Sequence, residues 1–136
     1  MAARYLLDTN IIIALRRRRP SSLVERLSRL QPGEVVMSAV VYGELCYGAE
    51  KSVRRDEAQE VLQRLTQAIP VDPLPGDAPL VYGRVRAALE ARGAIIGGND
   101  LWIAAHALAR GLVLVTGNVR EFGRVPDLVV EDWSVD

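Results

Sequence analysis

Three carboxylates, Asp8, Glu44 and Asp100, each stand alone among apolar neighbours in the sequence. Asp8 lies between the runs Tyr5-Leu6-Leu7 and Ile11-Ile12-Ile13. Glu44 is the only charged residue between Glu34 and Glu50, and helical spacing gives it Val40, Val41, Tyr47 and Gly48 as neighbours. Asp100 shares a helical face with Ile103, Ala104 and Ala107. An unpaired carboxylate loses much hydration on burial, so an acid in an apolar setting calls for a counter-charge. Each also has a plain structural alternative. Asp8 could cap the helix that follows it, with Asn99 capping the helix of Asp100. Asp100 could serve the dipole of its first turn, and Glu44 could be a surface acid reaching an arginine elsewhere. Three such acids on three separate elements are harder to explain one by one.

Carboxylates that converge repel one another and hold protons unless a cation joins them. Hard divalent ions such as Mg²⁺ or Mn²⁺ prefer all-oxygen surroundings and complete their shells with water and phosphate oxygens. That chemistry suits phosphodiester cleavage, in which such ions activate water and stabilise the leaving oxygen. Zinc fits poorly, because the only histidine, His106, sits in a helix beside Ala105 and Ala107 and reads as a packing or surface residue. On this reading Asp8 and Asp100 hold the principal ion, with Glu44 as ligand or water-orienting base. Thr116 and Asn118, after the apolar run Leu112-Val113-Leu114-Val115, could position solvent, although Gly117-Asn118 is also good turn chemistry. Glu121, three residues on, could add a fourth carboxylate. Arg16, Arg17, Arg18 and Arg19 are a candidate phosphate grip, or simply a solvated helix end.

The elements that must position these groups alternate. Residues 4–7, 34–37, 112–115 and 128–130 are short and continuously hydrophobic, as strands buried on both faces are; 69–71 is a weaker fifth candidate. Helical spacing marks 9–15, 21–30, 39–48, 56–68, 78–92 and 100–110, with Gly33, Gly93 and Gly111 at or beyond stops. Alternating strands and helices predict an α/β, three-layer sandwich: a parallel sheet of about five strands flanked by helices. Asp8 then follows the first strand, at the sheet edge where open α/β folds bind ligands.

The chain has 136 residues, enough for one domain over 1–136 with a real core. Apolar residues make up 49% and charged residues 25%, which excludes a disordered chain. Seventeen basic and seventeen acidic residues cancel, so any polyanion must be held by a local patch. A single cysteine, Cys46, rules out an intrachain disulfide and a cysteine metal cluster. The N-terminal apolar stretch is broken by Asp8 and Asn10, unlike a secretory signal, and no run is long enough to span a membrane. A cytoplasmic location is expected.

Four pieces in order resemble the PIN-domain ribonucleases and, within them, the VapC-type toxins of bacterial toxin–antitoxin pairs. They are Leu6-Leu7-Asp8-Thr9-Asn10, the stretch from Ser38 to Gly43-Glu44-Leu45, Gly98-Asn99-Asp100-Leu101-Trp102-Ile103-Ala104-Ala105-His106-Ala107, and Leu114-Val115-Thr116-Gly117-Asn118-Val119-Arg120-Glu121-Phe122 leading to Val130-Glu131-Asp132-Trp133. The resemblance spans the chain. It implies Mg²⁺- or Mn²⁺-dependent endonucleolytic cleavage of RNA, with Asp8, Glu44 and Asp100 at the metal-binding acidic positions. A further acid is expected where Asn118 stands, a departure that Glu121 could offset. The resemblance also implies a homodimer, inhibited by a small cognate antitoxin whose tail enters the active-site groove, and operator DNA bound only through that antitoxin. Two rivals remain. One is a catalytically quiet acidic cleft that docks a basic partner segment within a regulatory complex. The other is a phosphoaspartyl protein using Asp8, which leaves Glu44 unexplained.

Overall fold

A computed structural model describes residues 2–134. Its frame is a five-stranded, all-parallel sheet in the order β3-β2-β1-β4-β5. The strands are β1 (Tyr5–Leu7), β2 (Val35–Ser38), β3 (Val71–Asp72), β4 (Val113–Val115) and β5 (Val130–Glu131). Helices α1 (Thr9–Arg16) and α2 (Ser21–Ser28) join β1 to β2, while α3 (Ala39–Lys51) and α4 (Arg55–Ala68) join β2 to β3. Helices α5 (Ala78–Ala91) and α6 (Gly98–Arg110) lead to β4, and the single turn α7 (Val119–Phe122) precedes β5. The expected α/β, three-layer architecture is what forms. Every residue of β1 and β2 is buried, as strands covered on both faces must be.

The core joins Leu6, Leu7, Met37 and Leu114 of the central strands to Ile12, Val41, Leu89, Ile103 and Phe122 of the helices. Trp133 closes its rim, edge-on to Tyr5 at 4.8 Å between ring centroids. Trp102 is half-buried, stacked on Tyr82 of α5 at 4.0 Å. Both tryptophans therefore pack against tyrosine rings. None of the described helices is long and apolar enough to cross a membrane.

Several boundaries differ from the sequence expectation. Helix α3 continues past Gly48 to Lys51, since Gly48, unlike Gly93 and Gly111, does not take a positive φ there, and α2 ends two residues early at Ser28. The weak fifth strand is real but shifted to Val71–Asp72, and α7 had no counterpart in the sequence pattern. Gly111 ends α6 in the left-handed region at φ 66°, where its backbone N–H returns to Ala107 and Leu108.

Strand order places the functional edge. Chain direction reverses its lateral course between β1 and β4, and that switch point opens a crevice beyond the carboxyl ends of both. Asp8 follows β1 and Thr116 follows β4, side by side: the Asp8 N–H donates to the Val115 carbonyl at 2.9 Å.

Candidate acidic active site

Asp8 is the innermost acid, 5% exposed. Its Oδ1 accepts the Thr9 backbone N–H at 2.8 Å, which makes it the N-cap of α1. Its Oδ2 accepts Asn10 Nδ2 at 3.1 Å and the Thr116 hydroxyl at 2.9 Å. The capping alternative for Asp8 is thus true, and it does not exhaust the residue. One carboxylate oxygen caps; the other faces the switch point. Burial pushes the Asp8 carboxyl above its ordinary value, the three donors restrain the shift, and Glu121 adds to it.

Thr116 is fully buried and acts as a relay of order rather than charge. Its hydroxyl donates to Asp8 and accepts the Asn118 backbone N–H at 3.0 Å. Asn10 completes the lattice, because its Oδ1 accepts the Gly117 N–H at 3.1 Å. Loops after β1 and β4 are therefore tied together by three side chains, Asp8, Asn10 and Thr116, all polar and none basic.

Glu44 reaches the same edge from α3. Its Oε2 accepts the Thr9 hydroxyl at 3.1 Å and its Oε1 accepts Asn99 Nδ2 at 3.3 Å. Asn99 is not the N-cap of α6; Gly97 holds that position without a side-chain bond, which frees Asn99 to bridge α6 to α3. Among the described residues Glu44 makes no salt bridge, contrary to the simplest surface reading.

Asp100 and Glu121 converge on Gly97. A Cβ built there would stand 3.7 Å from Asp100 Oδ2 and 3.8 Å from Glu121 Oε1. Glu121 Oε1 accepts the Gly97 N–H at 2.9 Å and Oε2 accepts Asn118 Nδ2 at 2.6 Å. So Asn118, standing where an acid was expected, aims Glu121 into the centre. The Gly97 N–H, then Asn118, Asp100 and the charge of Arg124, hold Glu121 below the ordinary glutamate value against burial. Asp100 shows the converse: burial, then Glu121, Asp8 and Glu44, push it up to about 7. An acid in a first turn is favoured by the helix dipole, and here burial together with repulsion from neighbouring acids exceeds that benefit.

Among the described residues none of these four acids makes a salt bridge. The donor set, oxygen throughout and short of positive charge, fits a hard divalent cation. As placed, no three His, Cys, Asp or Glu side chains among the described residues are close enough to hold an ion together. One or two carboxylates with water and substrate oxygens suffice for Mg²⁺.

The chain matches the PIN domain model over residues 5–128. It belongs to the PIN domain family. Ribonuclease VapC1 of Haemophilus influenzae (strain 86-028NP) is 43% identical over 131 residues, covering 96% of this chain and 98% of the relative. The tRNA(fMet)-specific endonuclease VapC of Shigella flexneri is 40% identical over the same coverage. Among solved structures, VapBC-1 from nontypeable Haemophilus influenzae superposes with TM-score 0.89 at 42% identity, over 96% of this chain and 98% of that one. The DNA-bound VapBC of Salmonella typhimurium gives TM-score 0.90 at 36% identity, with the same coverage. The resemblance in the sequence motifs is therefore one of family, and relatives over nearly the whole length are ribonucleases.

The basic cluster fares differently. Arg16, Arg17, Arg18 and Arg19 are all exposed, and α1 is eight residues long, so they stand roughly 12 Å along its axis from Asp8. Only Arg16 lines a groove shared with Thr9 and Glu44, whose walls also hold Ile13, Tyr47 and Leu62. Sequence reasoning also missed Thr9, Asn10, Asn99 and Gly97 as members of the site. Their adjacency to Asp8 and Asp100 was the available signal.

Proposed function

We propose that the chain is a Mg²⁺- or Mn²⁺-dependent endoribonuclease, the toxin of a toxin–antitoxin pair. The observation that carries this reading is the convergence of Asp8, Glu44, Asp100 and Glu121, none of them in a salt bridge among the described residues; burial, then the neighbouring acids, lifts Asp100 to about 7. Bound there, a divalent ion would supply charge to the scissile phosphate and lower the pKa of a water. Asp8 and Asp100 would hold it, with Glu121 as a further ligand fixed by Gly97 and Asn118. Glu44, oriented by Thr9 and Asn99, is placed to take a proton from the attacking water or to complete the ligand set. Thr116 keeps one Asp8 oxygen aligned, and the Asn118 side chain does the same for Glu121.

Transfer RNA is the class to test first, given the Shigella relative's name. The solved VapBC complexes support a small cognate antitoxin as partner, with operator DNA reached through it; a homodimer and a cytoplasmic location accompany this reading. The apolar groove from Glu44 to Leu62 supports docking of a protein segment beside the acids. Asp8→Asn and Asp100→Asn should abolish metal-dependent RNA cleavage while circular dichroism shows a native fold. Full cleavage by both variants would sink the proposal. Wild-type protein inert on RNA with either metal, yet binding a basic peptide, would favour the quiet acidic cleft.

A further inference from the structure

A second cleft borders the acidic centre, lined by Asn118, Arg120, Glu121 and Arg124. The clefts elsewhere are walled mainly by aliphatic and small side chains; this one is polar throughout and carries two guanidinium groups. Its one acid, Glu121, accepts from Gly97 and Asn118 and is held down in part by the charge of Arg124, but forms a salt bridge with neither arginine among the described residues. Arg120 is exposed and makes no salt bridge among the described residues. Arg124 is preorganised instead. Its Nη1 donates to the Ile95 carbonyl at 3.1 Å, and its own carbonyl accepts a hydrogen bond from Arg92.

Charge balance gives this cleft a role. A chain of net charge zero has no general attraction for a polyanion, and a cluster of acids repels one. A cation in the acidic centre offsets that repulsion at one phosphate only. Neighbouring phosphates need cations at the rim, and guanidinium is the side chain suited to gripping them. Resting on the ribonuclease reading above, we infer that Arg120 and Arg124 bind the RNA backbone phosphates flanking the scissile one, in place of the arginines that close α1. They are substrate-positioning residues, remote from bond breaking.

The test uses two readouts. Arg120→Ala, Arg124→Ala and the double variant are assayed for Mn²⁺-dependent cleavage of bulk bacterial tRNA, with exposed Arg64→Ala as the control. Each loss should raise KM by about tenfold with kcat nearly unchanged, and lower the salt slope by about one. Arg120→Lys should restore most of the salt slope. In an Asp8→Asn background, fluorescein-labelled tRNA should bind more weakly by a similar factor when Arg120 is lost. Arg120 makes no salt bridge among the described residues, so its variant keeps the test valid if Arg124→Ala misfolds. An active wild type whose KM, RNA affinity and salt slope ignore both arginines overturns this inference alone. A wild type that cleaves no RNA overturns the ribonuclease reading and this inference with it. Weakened binding of a protein partner with RNA affinity intact would also overturn it, reassigning the cleft to that partner.

Discussion

Asp8 and Asp72 sit at the carboxyl edge of one sheet, after β1 and at the end of β3, with opposite electrostatic outcomes. Asp72 accepts from buried His106 Nε2 at 2.7 Å and from Arg110 at 2.5 Å. Burial alone would raise it, but these hydrogen bonds and charges hold it below the ordinary aspartate value. Asp8 has only neutral donors, and burial wins. An acid beside a base cross-links the fold; acids left without one, gathered around buried Asp8, are short of a cation. The difference teaches that isolation from positive charge, more than burial, separates a binding centre from a structural pair.

That contrast can be broken experimentally, and the largest effect should come from the acidic centre. Asp8→Asn or Asp100→Asn should cut the cleavage rate by about a hundredfold or more, the scale seen when one electrostatic contact to the reacting groups is lost. Asp72→Asn should act on the other axis. It should lower unfolding stability by about 2 kcal/mol in denaturant melts, because buried His106 loses a charged partner, while the folded fraction still cleaves. This loss has a pH signature. An acid held low stabilises the fold above its unfolded value of 3.8, and the contribution disappears as pH falls through the lower folded value. Wild type and variant should therefore converge in strong acid.

A smaller effect should follow from loosening the acids without removing one. Asn118→Ala frees Glu121, and a tenfold drop in Mn²⁺ affinity or kcat is expected, since residues that orient ligands cost about 10–100-fold when lost. The smallest effect runs in the stabilising direction. Asp100 is raised to about 7 from 3.8 in the unfolded chain, so the metal-free fold loses stability as pH climbs from about 3.8 to about 7, levels off above that, and loses nothing below 3.8. Asp100→Asn should raise the Tm of metal-free protein by a few degrees at pH 8, where about 1 kcal/mol corresponds to roughly 3–6 °C. The gap should close near pH 4.

Much of this was legible in the chain. Continuous apolar runs marked the strands because parallel strands are covered on both faces, and isolated carboxylates between apolar runs marked three of the four acids. What was hidden depended on tertiary pairing. His106 read as an ordinary helix histidine because its partner Asp72 lies 34 residues away. Asn99 looked like a cap, since nothing local says that Gly97 starts the helix. Glu121 was a guess from spacing, because α7 is a single turn too short for periodicity. The arginine run after α1 drew attention by sheer number, whereas Arg120 and Arg124 gain meaning only beside Glu121.

The central claim is that the acids around Asp8 form a cation site whose assembly displaces a proton from Asp100. Mn²⁺ titration by calorimetry at pH 6 and pH 8 tests it most directly. With Asp100 at about 7, affinity should be about tenfold weaker at pH 6, protons should be released on binding, and Asp100→Asn should abolish the pH dependence. Folded wild-type protein that binds no Mn²⁺, or binds it equally at both pH values without releasing protons, would contradict it.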